Sequence, residues 1–135
     1  MTEGWFWGFL EDLWRTKGRE AMMGGMVDDP DPQIQAASHY IMSHALLPRE
    51  CNKIPVGTVV NMGGLLLAKG IQRKTMEAIM MILAHNGSDE ALDALRKYNM
   101  RPAKGLEVFA EMALDECKSW NDGTVMKVDL VKGLV

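Results

Sequence analysis

Cysteine is scarce in this sequence. Two residues, Cys51 and Cys117, stand in a chain of 135, and they form no CxxC pair. That excludes the disulfide-dense framework of a small secreted domain and points to a reducing compartment, so a cytoplasmic location is expected. A surplus of basic charge is also missing: the formal net charge is -3. Nucleic-acid binders carry a basic stripe or patch, and no nucleic-acid partner is expected here. Apolar runs are short. None approaches the roughly 20 residues that cross a bilayer, and Met1-Thr2-Glu3-Gly4 lacks the basic start of a secretory signal, so no membrane partner is expected.

What remains has the balance of a globular domain, with 47% apolar and 24% charged residues. The length suits one domain with a moderate core that needs no metal or disulfide staple. Twelve methionines point to adaptable packing within it.

The apolar spacing is helical almost throughout. Thr2 is placed to cap a first helix carrying Trp5, Phe6, Trp7, Phe9, Leu10, Leu13 and Trp14, which breaks near Lys17-Gly18. Residues 20–27 predict a second, short helix weakened by Gly24-Gly25. Asp31 as N-cap and Pro32 at the first helical position start a helix to about Leu46, with Ile34, Ala37, Ile41 and Ala45 as its inner stripe. Residues 51–55 read as a connection. Residues 56–69 predict a helix, although Thr58-Val59-Val60 has β propensity and Gly57, Gly63 and Gly64 weaken it; the glycine pair would let another helix approach closely. The segment 75–85 is apolar on nearly every side, as a central helix should be. Asn86-Gly87 stops it, and Ser88 caps the next, whose inner face is Ala91, Leu92, Leu95 and Tyr98. The last helix is expected over 103–120, with Leu106, Phe109, Ala110, Ala113, Leu114 and Cys117 inward.

These readings give an all-α fold of stacked antiparallel helix pairs, either a short solenoid or a compact helical bundle. A single helical domain spans 1–123. Residues 124–135 form an extended C-terminal tail or short strand, in which Met126, Val128 and Leu130 share one face.

Two segments carry a family resemblance. Asp29-Pro30-Asp31-Pro32-Gln33-Ile34-Gln35-Ala36-Ala37 resembles the acidic, proline-containing turn and helix start of HEAT-like helical repeats. Leu83-Ala84-His85-Asn86-Gly87-Ser88-Asp89-Glu90-Ala91-Leu92-Asp93-Ala94-Leu95 resembles the junction inside such a repeat. Gln35 stands where that family often has arginine, and the glycines of 56–70 depart from its pattern. The resemblance implies a curved stack of two or three helix pairs and a protein-binding role.

No catalytic, cofactor-binding or metal-ligating constellation is legible. His39 and His44 lie five apart on one expected helix and so face different ways. His44 falls near the apolar stripe, as a hydrogen-bonded core histidine would. His85 sits at a helix C-terminus, where a protonated ring gains from the dipole. One HEAT-like enzyme family binds iron through His-Glu pairs, but the pairs here are His39-Tyr40, His44-Ala45 and His85-Asn86, and none matches. Arg96, Lys97, Arg101 and Lys104 make a small basic patch of the kind that is ordinarily solvated. Cys117 reads as a small core hydrophobe. Cys51, between Arg49 and Lys53, is the candidate reactive thiol, since flanking cations favour a thiolate.

Two features suggest partners. Glu107, Glu111 and Asp115 recur every four residues and form one acidic ridge, a candidate partner-binding surface. Trp5, Phe6, Phe9 and Trp14 are candidate capping or homodimer contacts. The first functional reading is a non-enzymatic protein-protein interaction or adaptor module. The alternative is a small-ligand or cofactor-binding helical protein with enzymatic activity. A polar-lined cavity beside Cys51 or a histidine separates them in favour of the second; a solid core with an open concave face favours the first.

Overall fold

The computed structural model describes residues 1–20 and 29–122, and the described chain is helical. Most of the helix expected over 20–27, and the tail expected over 124–135, lie outside the described residues. Thr2 caps Glu3–Lys17 (α1), its hydroxyl accepting from the Trp5 amide at 3.1 Å. Phe6 and Leu10 on α1 are fully buried, and Trp7, Phe9, Leu13 and Trp14 pack half-buried beside them. After α1 an isolated antiparallel bridge joins Arg19 to Pro48. There the Glu20 amide donates to the Leu47 carbonyl at 2.9 Å.

Asp31 caps Pro32–Met42 (α2), which tightens into a 3-10 turn, Ser43–Leu46. A second 3-10 turn, Cys51–Lys53, leads to Val56–Leu66 (α3). Arg73–Ala84 (α4), Asp89–Met100 (α5) and Glu107–Asp122 (α6) follow. Every residue from Glu77 to Ala84 is buried, so α4 is the central rod that its all-round apolar sequence predicts. Helix α3 packs on α4 and α5, α5 on α6, and α6 on α4. Helix α2 returns to lie on α6, and its 3-10 turn lies on α4. Each large apolar side chain buried in this cluster contributes about 1.5–3 kcal/mol.

The helical pairing matches the periodicity, with three local differences. The inner face of α2 is not the expected one: Ile34 and Ile41 are 40% and 53% exposed, while Tyr40 and Ser43 are buried. Tyr40 anchors α2 to α6, and one residue of helix turns the face by about 100°. Helix α6 starts at Glu107 rather than near Ala103, because the Leu106 amide donates to the Ala103 carbonyl at 2.9 Å and Gly105 takes a φ of +89°. Between α3 and α5 only one of the two glycines is used: a Cβ on Gly63 would stand 2.8 Å from Ala94 Cβ, while Gly64 faces open space.

Candidate functional site: two histidines and a glutamate at the edge of a pocket

Two helix ends meet beside α6. The last carbonyls of a helix have no partner within it, and a histidine placed there donates to them. His44 lies in the 3-10 turn after α2, with Nδ1 2.9 Å from the Ile41 carbonyl and 3.2 Å from that of Tyr40. His85 follows α4, with Nδ1 2.8 Å from the Met81 carbonyl. A carbonyl only accepts, so Nδ1 carries a proton in both rings and Nε2 is the edge turned toward α6.

Both Nε2 atoms face one carboxylate. His44 Nε2 lies 3.0 Å from Glu116 Oε1, and His85 Nε2 lies 2.6 Å from Glu116 Oε2. The Tyr40 hydroxyl donates to Oε1 at 2.5 Å. The rings brace one another: His44 and His85 meet edge to face at 4.9 Å, Tyr40 packs edge-on to His44 at 5.3 Å, and Trp120 lies 6.3 Å from His85.

Burial by itself would raise the Glu116 carboxyl, but hydrogen bonds from His44 and His85 outweigh it and hold the group far below the usual carboxylate range. The hydrogen bond to Glu116 raises His44, against burial. Burial, then the neighbouring Glu116 charge, pushes the Tyr40 hydroxyl far up, so it remains a neutral donor.

The two imidazoles line a pocket of about 560 Å³ with Glu20, Cys51, Asn86 and Trp120. Asn86 closes it by donating from Nδ2 to the Cys51 carbonyl at 2.9 Å. Chemically the cluster offers two imidazole nitrogens and a carboxylate, which serve proton transfer or metal ligation. The three ligand atoms lie within 4.8 Å of one another.

The residues singled out by sequence are dispersed. Cys51 is 7% exposed, and its thiol donates to the Ile82 carbonyl at 3.6 Å. Burial, with Glu20 nearby, pushes that thiol up to about 12, the reverse of the expected activation. The flanking cations are engaged elsewhere: Lys53 pairs with Glu50, and Arg49 donates to the Arg19 carbonyl. Cys51 is therefore wall rather than nucleophile. Glu107, Glu111 and Asp115 are exposed along α6, with Glu107 accepting from the Gly105 amide. Phe6, Phe9 and Trp14 pack on the core, and Trp5 stays 52% exposed, stacked on Phe9. His39 faces away from His44, toward Glu77 at 2.9 Å.

Glu116 was missed by sequence reasoning, and so was its grouping with His44, 72 positions away. One signal was available. On the last helix Glu116 follows Phe109 by seven positions and Ala113 by three, so it sits on the flank of the buried stripe rather than on the solvated ridge. Comparison of the chain with known protein families, with curated proteins and with solved structures finds no match.

Proposed function

We propose that the protein binds a small molecule in the pocket walled by His44, His85, Asn86 and Trp120. The observation that carries this reading is the pair of imidazole edges, each fixed by a backbone carbonyl at Nδ1, converging at the edge of a cavity beside Cys51. Leu47 and the Trp120 indole supply apolar wall, and the histidines with Asn86 supply polar contacts. Proton transfer to or from the ligand is the chemistry that two such imidazoles support. A library of small polar aromatic fragments, screened by NMR, tests it. Hits should perturb the His44, His85 and Trp120 ring signals together and weaken in Trp120→Ala. Hits that leave those three rings unmoved would reject the pocket as the binding site.

The exposed acidic ridge of α6 supports a second reading, a HEAT-like docking module for a basic protein partner. Replacing Glu107, Glu111 and Asp115 by glutamine should then reduce quantitative capture of that partner from lysate, and equal capture rejects the ridge. Two free, buried cysteines agree with a cytoplasmic setting for either reading.

A further inference from the structure

We propose that His44, His85 and Glu116 bind a divalent first-row transition-metal ion, and that the pocket is the open side of its coordination sphere. This rests on the same pocket as the ligand reading above and names what the ligand would meet there.

The ligand atoms are already close to the required spacing. Tetrahedral ligands about 2.0–2.2 Å from an ion stand roughly 3.3 Å apart. His44 Nε2 is 3.0 and 3.4 Å from the two Glu116 oxygens, and His85 Nε2 is 2.6 Å from the nearer one. The Glu116 side chain is 32% exposed, and rotating it opens the set around an ion. The supporting contacts are those that a metal site needs. A ligating imidazole donates its other N–H to a carbonyl or carboxylate, which fixes the tautomer and the ring plane, and a ligating carboxylate is itself hydrogen-bonded. Ile41 and Met81 carbonyls do this for the two rings, and the Tyr40 hydroxyl does it for Glu116.

Electrostatics point the same way. The end of α2 with its 3-10 turn and the end of α4 both direct helix C-termini toward the cluster, and that dipole end favours a cation. Glu116 adds a full negative charge. The donor set selects the class of ion. Two imidazoles and a carboxylate suit zinc, iron, cobalt or nickel in the divalent state. Calcium and magnesium prefer all-oxygen shells. The soft thiol that would favour copper(I) is turned away, since Cys51 Sγ faces the Ile82 carbonyl. Three protein ligands from three elements leave at least one position for water or for a donor atom of the pocket's ligand, the arrangement of reactive rather than structural sites.

Cobalt(II) is the probe. Chelator-treated full-length protein should bind one equivalent of Co²⁺ and show the intense visible bands of a four- or five-coordinate ion, which Zn²⁺ then abolishes by displacement. Glu116→Gln and His85→Gln should each lose the bands while retaining helical circular dichroism, and His39→Gln, outside the cluster, should keep them. Tyr40→Phe keeps all three ligands and should weaken Co²⁺ binding by about 10–100-fold, the usual effect of removing an outer-shell partner. Should the ligand variants fail to fold, long-range ¹H–¹⁵N spectra of the wild type decide: Zn²⁺ must shift Nε2 of both His44 and His85 and leave both Nδ1 atoms protonated. A weak octahedral spectrum that does not saturate, or Zn²⁺ without effect on those nitrogens, overturns the metal site. In that case fragment binding at Trp120 in metal-free protein leaves the pocket reading intact, whereas its absence removes both.

Discussion

Glu116 accepts from Tyr40 and faces both His44 and His85, so one side chain couples α6 to the ends of α2 and α4. The coupling has a pH signature in the metal-free protein. His44 titrates above its ordinary value of 6.5 because Glu116 holds its proton, against burial. The folded state therefore binds that proton more tightly than the unfolded chain does. Its contribution is complete below 6.5 and is lost as pH rises through the raised folded value. Glu116 moves the other way: burial opposes its ionisation, but the histidine hydrogen bonds dominate and depress it below 4.5. Its contribution is present above 4.5 and is lost as pH falls through the depressed value. Urea midpoints should thus show this cluster's stabilisation to be greatest between 4.5 and 6.5 and to decline on both sides. Glu116→Gln, similar in shape but without charge, should flatten both limbs; a variant with the wild-type profile would show that the carboxylate does not set it. At this scale the sequence is a poor guide to reactivity. Cys51 has cations beside it in the chain, yet what governs its thiol is burial against the core, with the Glu20 charge added to it.

Helices α3 and α5 approach closely because Gly63 removes a side chain where Ala94 arrives. Gly63→Ala forces two methyl groups to within 2.8 Å, and the helices must separate. A destabilisation of about 1–3 kcal/mol is expected, as for overpacked cores, and partial rescue by Ala94→Gly. Gly64→Ala meets nothing within 4 Å and replaces a flexible residue in a helix, so it should stabilise by about 0.5–1 kcal/mol. Opposite signs from two adjacent glycines, read as denaturation midpoints, are the expected result; equal gains would show that helix propensity alone governs α3. The sequence made α4, α5 and most of α6 legible because their apolar residues recur with the helical period and their ends carry Asn86-Gly87 and Ser88. The face of α2 was not legible in the same way. Ile34 and Ile41 are apolar by composition, yet Tyr40 is the residue that finds both a buried ring neighbour in Phe109 and a carboxylate for its hydroxyl. Periodicity ranks side chains by greasiness, and an amphipathic tyrosine with a partner from 76 positions away escapes that ranking.

The candidate site exists only because distant parts of the chain close around α4. Helix α2 lies on α6, and the bridge at Arg19 and Pro48 brings Glu20 to the pocket rim. No local pattern encodes those contacts, which explains why the rods were readable and the pocket was not. Helix α1 is tied into the same body. Its Glu3 carboxylate accepts from the Gln72 amide at 3.2 Å and from the Thr75 hydroxyl at the start of α4. The Trp7 indole donates to Thr75 at 3.0 Å, and that of Trp14 donates to the Leu46 carbonyl at 2.9 Å, two residues beyond His44. The first helix should therefore unfold with the whole rather than peel away. Phe6→Ala, at a fully buried ring, should cost about 3–5 kcal/mol. Trp5→Ser, one residue earlier and half exposed, should change monomer stability by no more than about 0.5 kcal/mol. Calorimetry and hydrogen exchange read different sides of this: one cooperative transition lowered in Phe6→Ala, with amides of α1 and α4 exchanging together, is the expected outcome. If α1 amides exchanged freely while α4 kept its protection, α1 would be an appendage, and the Trp14 brace on the turn that carries His44 would not hold that histidine in place.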